Sequence, residues 1–164
     1  MTTGDLWTAG QNPGEGRADI IIPVYNQVQY TKGCLQSLRE CTTYPYRVIV
    51  IDNASTDETA ELLQTYAAEG LPLEIITNAE NLGFTRAANQ GLQAATGRYA
   101  VFLNNDTLLT QGWLTGLTMT AESDDRIGIV GPKILSPQTH CIHCIGGLVF
   151  YKCTASRKLD QEIC

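Results

Sequence analysis

Apolar positions along the chain fall into two kinds of pattern. Four short runs, Asp19 to Val24, Arg47 to Ile51, Leu73 to Ile76 and Tyr99 to Leu103, are rich in Ile and Val or aromatic residues and do not alternate with polar ones. Such runs predict strands covered on both faces, since a strand with one wet face would alternate with a period of two. Between them the spacing turns helical: Cys34, Leu35, Leu38 and Cys41 form one stripe, and Leu62, Leu63 and Tyr66 another. Ser55-Thr-Asp-Glu58 has the spacing of a capping box and predicts the start of the second helix there. A third helix is predicted from Phe84 to about Ala95, stopped at Gly97.

Strand and helix therefore alternate up to Asp106, and a helix over Gln111 to Ser123 and a strand over Ile127 to Val130 are expected after it. Alternation of this kind implies right-handed crossovers and a mostly parallel α/β sheet with helices on both faces. In such sheets a ligand lies beyond the carboxyl ends of the strands. The residues that follow each strand then matter most.

Those residues are Pro23-Val-Tyr-Asn26 after the first strand, Asp52-Asn-Ala-Ser-Thr-Asp57 after the second and Asn104-Asn-Asp106 after the fourth. Asn, Asp and Ser are ordinary turn and cap residues, and any one of these loops reads most simply as a turn. Three oxygen-rich loops at one sheet edge point instead to a cation or a hydroxyl-rich ligand. Neither a G-x-G-x-x-G nor a Gly-rich run ending in Lys-Ser or Lys-Thr is present, so a bound phosphate must be held another way, through a carboxylate and a divalent cation.

Composition narrows the classes. A chain of 164 residues with 43% hydrophobic and 17% charged residues can bury a core in one domain, and a net charge of -6 makes nucleic acid a poor partner. No apolar stretch approaches the roughly 20 residues that span a bilayer. Met1 to Arg17 has no basic start followed by an apolar core and is expected to be a flexible tail of a cytoplasmic protein. Cys141-Ile-His-Cys144 has the spacing of half a zinc site, with His140, His143, Cys153 and Cys164 as further candidate ligands, but the second pair lacks its own tight spacing. Reduced, unpaired thiols are the simpler expectation for these residues.

Five stretches taken together carry a resemblance: DIIIPVYN (Asp19 to Asn26), VIVIDNASTDET (Val48 to Thr59), NAENLGFTRAANQGL (Asn78 to Leu92), ATGRYAVFLNNDT (Ala95 to Thr107) and IGIVGPKIL (Ile127 to Leu135). In this order they resemble the family 2 glycosyltransferases of the GT-A fold, especially the rhamnosyltransferase-like branch. The resemblance implies a Rossmann-like three-layer α/β/α fold. It also implies a division into a tail (residues 1–18), a nucleotide-sugar-binding domain (19–135) and an incomplete C-terminal segment (136–164).

Carried onto these positions, the resemblance implies that Pro23, Tyr25 and Asn26 border the nucleoside of a sugar nucleotide, with the Tyr25 ring against the base. It implies that Asp52, with Asn53 beside it, bonds the base or ribose, that Arg86 lies near the base and diphosphate, and that Asn89 packs the same loop. Asn104-Asn105-Asp106 stands at the family's Asp-x-Asp motif, so Asp106 would reach a Mg2+ or Mn2+ ion. The implied donors are dTDP-rhamnose or a UDP- or GDP-sugar, and the implied acceptor is a saccharide or a lipid-linked one. The implied product is a cell-surface polysaccharide built at the inner membrane face.

Two departures qualify it. Asn53 and Asn104 stand where many family members have Asp. The family's general base, an Asp in a Glu-Asp pair, has no counterpart, since Asp160 and Glu162 lie in no such context; His143, Gly146 and Gly147 resemble the segment just before it. A sugar-nucleotide-dependent glycosyltransferase, or the donor-binding part of one, is the expectation: an enzyme fragment, a truncated gene product, or a donor-binding module working with a second copy or a partner chain. A non-catalytic nucleotide-sugar-binding or interaction module is the alternative. A nucleotidyltransferase would want a Gly-rich, Arg-containing loop where Pro23-Val-Tyr-Asn26 stands.

Overall fold

The computed structural model describes residues 14–136, with the backbone of Ile142–Ile145, Leu148–Phe150 and Thr154–Ser156. The chain divides into two units at Gly112. In the first unit strands β1 (Gly14–Val24), β2 (Tyr46–Asp52), β3 (Leu73–Thr77) and β4 (Gly97–Phe102) alternate with helices α1 (Val28–Cys41), α2 (Thr59–Ala68) and α3 (Phe84–Ala94). The strands form one parallel sheet in the order β3-β2-β1-β4. Ile20, Ile21 and Ile22 are all buried, as are Val48 to Ile51, which is why these runs are continuous rather than alternating.

The strand order fixes the layers. From β1 to β3 the chain steps in one direction, so right-handed crossovers put α1 and α2 on one face; the return to β4 on the other side of β1 puts α3 on the opposite face. Ile21, Ile49, Ile51 and Ala87 form the core on the α3 side. Gly91 makes that packing close: a Cβ there would lie 2.7 Å from Ile51 Cδ1 and would also meet the Ile21 side chain. On the other face α1 and α2 adjoin, with Arg39 bonded to Glu69 at 2.6 Å and lying over the Tyr66 ring.

A charged centre absent from the sequence reading lies at the amino-terminal end of the sheet. Asp19, fully buried, accepts hydrogen bonds from Arg47 Nη2 (2.7 Å), Arg17 Nε (3.1 Å) and the amides of Thr96 (2.6 Å) and Gly97 (2.8 Å). Arg47 also bonds Glu74 at 2.8 Å and the Ala94 carbonyl at 3.0 Å. Burial pushes the Asp19 carboxyl up, and Arg47 with the two amides outweighs it, so the group is held below its ordinary value. Asp19 thereby ties β1 to β2 and to the α3–β4 turn.

The second unit has helix α4 (Trp113–Glu122) and the short antiparallel pairs β5 (Lys133–Leu135) with β6 (Ile142–Ile145) and β7 (Leu148–Phe150) with β8 (Thr154–Ser156). Ile127 to Val130 is not a strand. Ile129 is 93% exposed, and the ladder in this region is taken by Lys133–Leu135 instead, because an apolar run becomes a strand only where a neighbour offers backbone partners. β1 begins at Gly14, inside the stretch expected to be a tail; residues 1–13 lie outside the described ones, as do the side chains of Cys141, Cys144, Cys153 and Cys164 and both histidines. No helix among the described residues is long and apolar enough to cross a membrane.

Candidate functional site

The order in which strands are added reverses at β1, which has β2 on one side and β4 on the other. A crevice for a ligand opens at such a switch point, outside the carboxyl ends of the strands. Val24 pairs with Asp52, and Ile21 with Phe102, so Tyr25-Asn26, Asp52-Asn53 and Asn104-Asn-Asp106 all leave the sheet at this edge.

The loops after β1 and β2 are laced to each other. The Asn26 amide donates to Ser55 Oγ (2.8 Å), Asn26 Oδ1 accepts the Thr56 amide (2.7 Å), and the Val28 amide donates to Asp57 Oδ2 (3.0 Å). These bonds hold three non-glycine residues, Asn26, Gln27 and Ala54, in the left-handed region (φ 54, 61 and 65). Strain of this kind persists only where the surroundings over-determine it. The lacing also explains why no capping box forms. Ser55 Oγ is engaged by Asn26, the first helical residue is Thr59, and Asp57 Oδ1 takes the Thr59 amide and hydroxyl instead.

Asp52 and Asn53, each 3% exposed, differ in what remains available to a ligand. Asp52 Oδ1 accepts the Ser55 amide at 2.9 Å. Among the described residues no fully buried side-chain oxygen lacks a partner, so Oδ2, which has none there, is not completely enclosed. Asn53 is engaged at both ends: Oδ1 accepts Asn78 Nδ2 (2.9 Å) and the Leu82 amide (3.3 Å), and Nδ2 donates to the Gly83 carbonyl (3.4 Å). Asn78 and Gln90 exchange two amide hydrogen bonds, 2.8 and 2.9 Å. This chain of amides fixes the entry to α3.

At that entry Gly83 has φ 77 and ψ 165, a conformation open essentially to glycine alone. It starts a helix whose first turn contains no acid and carries Arg86, which is exposed and forms no ion pair among the described residues. A cation there opposes the helix dipole by about 0.3–1 kcal/mol, a cost that an anion at the same end would reverse. Asn89 is exposed one turn further on, Tyr25 is 48% exposed, and Pro23 is buried.

Asp106 is exposed, and no side chain or amide among the described residues bonds its carboxylate. Its loop is held from below by one face of α1. Asn105 Nδ2 donates to Thr31 Oγ1 (3.0 Å), Cys34 Sγ donates to the Asn104 carbonyl (3.7 Å), and the Leu109 amide donates to Ser37 Oγ (3.1 Å). Burial and the Asp106 charge push the Cys34 thiol up to about 12. Among the described residues no three His, Cys, Asp or Glu side chains gather around one point. A divalent ion fits one carboxylate flanked by neutral amide oxygens if water and phosphate complete its shell, which is the habit of Mg2+.

Three of these features escaped the sequence reading. Thr31 and Ser37 interrupt an apolar helix face at helical spacing, which was the available signal for the α1 contacts. The Asn78–Gln90 pair and Asp19 had none, since each depends on a tertiary partner.

Comparison with known proteins settles the family. The description Glycosyl transferase family 2 matches residues 19–140. The chain belongs to that family. Glycosyltransferase AglE of Haloferax volcanii is 36% identical over 118 residues, covering 70% of this chain and 38% of the relative. The uncharacterised glycosyltransferase YibD of Escherichia coli is 32% identical over 109 residues, covering 66% and 31%. Among solved structures, the mannosyltransferase PcManGT of Pyrobaculum calidifontis, in complex with GDP-Man and Mn2+, superposes with TM-score 0.68 at 28% identity, covering 76% of this chain and 37% of that one. TarS 1-349 of S. aureus in complex with UDP-GlcNAc gives 0.59 at 25% identity, covering 65% and 31%. The chain thus has the GT-A fold, and it spans about a third of the length of these relatives.

Proposed function

We propose that this chain is the donor-binding part of a glycosyltransferase that moves a sugar from a nucleoside-diphosphate sugar to an acceptor hydroxyl. The observation that carries the reading is the Asp106 carboxylate, unengaged on a tethered loop at the switch point of the sheet. The donor lies across the carboxyl edge, its base against the Tyr25 ring and bordered by Pro23 and Asn26. Its ribose or base bonds Asp52 Oδ2. Asn53 acts one step back, by fixing the loop that presents Arg86 and Asn89.

In sugar transfer the acceptor oxygen forms a bond to the anomeric carbon as the bond to the diphosphate breaks, and negative charge grows on the leaving diphosphate. Arg86 and the α3 amino terminus stabilise that charge directly. Asp106, with Asn104 and Asn105 beside it, would hold a Mg2+ or Mn2+ ion, which supplies further neutralising charge when bound. PcManGT holds GDP-Man with Mn2+, which supports a metal-assisted donor site of this kind. The acceptor is a saccharide or a lipid-linked acceptor, the class that the resemblance to the rhamnosyltransferase-like branch implies.

Thermal unfolding with UDP, dTDP and GDP, each with and without Mn2+, tests the reading on the wild type and Asp106→Ala. A nucleotide at about 100 times its Kd adds roughly 2.7 kcal/mol of stability. One nucleotide stabilising the wild type with Mn2+, and losing its metal-dependent part in Asp106→Ala, is the expected result. No stabilisation by any of the three would sink the reading.

A further inference from the structure

Thr31, Cys34 and Ser37 stand at i, i+3 and i+6 of α1 and therefore share one helix face. Each touches a different point of the segment after β4: Asn105 through its side-chain amide, Asn104 through its carbonyl and Leu109 through its backbone amide. Thr31 is fully buried and Cys34 nearly so, and the Ser37 hydroxyl also donates to the Cys34 carbonyl at 3.0 Å. Leu108 of the same segment comes near the helix at Gly33, where a Cβ would stand in ordinary contact, 3.4 Å from Leu108 Cδ2. The segment on both sides of Asp106 is thus bonded to a helix, while Asp106 itself carries no bond to the protein among the described residues.

We infer that Thr31, Cys34 and Ser37 are positioning residues that set where the Asp106 carboxylate stands relative to the bound diphosphate, and so set the affinity of the site for its divalent ion. The inference rests on the reading of Asp106 as the metal-bearing residue. The Thr31 bond acts most directly. With its Nδ2 drawn down to Thr31 Oγ1, the Asn105 side chain turns its carbonyl oxygen the other way, and the peptide that leads into Asp106 keeps one orientation. A loop free of the helix would have to be ordered by the ion itself, and that ordering would subtract from metal affinity.

The test separates metal affinity from nucleotide affinity and from stability. The melting temperature of the full chain is followed while Mn2+ is titrated at fixed, saturating UDP, dTDP or GDP, and again with each nucleotide and no metal. Thr31→Val keeps the shape and removes the accepting oxygen; Thr31→Ser restores that oxygen. Ser37→Ala deletes a single half-buried oxygen and serves if Thr31→Val does not fold. One lost hydrogen bond predicts that Thr31→Val or Ser37→Ala needs about fivefold to tenfold more Mn2+ for half of the metal-dependent shift, with the metal-free nucleotide shift unchanged. Thr31→Ser returns to the wild-type midpoint. A merely structural role would lower the melting temperature and leave the Mn2+ midpoint where it was, and that result overturns the inference while Asp106→Ala still abolishes the metal dependence. If Asp106→Ala retains the wild-type midpoint, the inference falls together with the reading it rests on.

Discussion

Asp19 and Arg47 are register partners across β1 and β2, joined by two hydrogen bonds of 2.7 and 3.3 Å at the sheet edge opposite the candidate site. The carboxylate is fully buried and the guanidinium only partly exposed, so breaking the pair leaves a poorly solvated charge. Asp19→Asn is expected to cost about 2–4 kcal/mol at pH 7, toward the low end for a buried pair because Arg47 keeps some water. Urea unfolding measures it.

The same carboxylate fixes an acid dependence. Its folded value lies below the ordinary 3.8, so its contribution is fully present above that value and is lost as pH falls through the folded one. The gap in unfolding free energy between wild type and Asp19→Asn should therefore be flat from about pH 6 to 8 and shrink below about pH 4. A gap that widens toward low pH would contradict the assignment.

Gly91→Ala tests the close approach of α3. Alanine improves helix propensity by about 1 kcal/mol over glycine, but overpacking against Ile21 and Ile51 costs about 1–3 kcal/mol. Ile21 is β-branched and buried on a central strand, so it cannot swing away, and the net effect is a lower melting temperature. An unchanged or higher Tm would mean that α3 shifts freely on the sheet.

Replacing Asn53 should destabilise the free chain, and replacing Asp106 should not. Asn53→Ala removes the acceptor of one Asn78 Nδ2–H and of the Leu82 N–H, while Asn78 keeps its bonds to Gln90, and is expected to cost about 1–3 kcal/mol with no nucleotide present. Asp106→Ala removes an exposed, unengaged group and should stay within about 0.5 kcal/mol of wild type. Chemical denaturation of the two variants side by side distinguishes a framework residue from one kept for a ligand.

Cys34 should resist alkylation. With its thiol pushed up to about 12, roughly one part in ten thousand is thiolate at pH 8. Iodoacetamide labelling of the native chain, read by mass spectrometry, is expected to modify the half-buried Cys41 well before Cys34. Equal labelling rates would show that α1 opens at Cys34.

β1, β2 and α1 were legible because each buries a run or stripe whose period the sequence displays: Ile20 to Ile22, Val48 to Ile51, and Leu35 with Leu38. β3 and β4 carry equally continuous apolar runs but are not covered on both faces as expected: they stand at the sheet edges, β3 is mostly half-buried and Phe102 of β4 is exposed. The strand expected at Ile127 to Val130 failed because pairing, not hydrophobicity, decides strand formation. Ser55 and Glu58 had the capping-box spacing, but the Ser55 hydroxyl was claimed by Asn26, 29 positions away in sequence. The candidate site was legible as residue types after strands. Which groups are engaged was not: Asn53 and Asp52 are neighbours of similar shape, and only their tertiary partners tell framework from open acceptor.

The loops on the two sides of the switch point hang from a single rod. Val28, at the first turn of α1, is bonded to the loop after β2, and Thr31, Cys34 and Ser37 on the next turns are bonded to the loop after β4. The gauge of the crevice is therefore set by helix geometry, at 1.5 Å per residue, and not by the loops that line it. Loop residues can be exchanged for ones suited to another base or sugar without changing that gauge, whereas a tilt of α1 would carry both loops together.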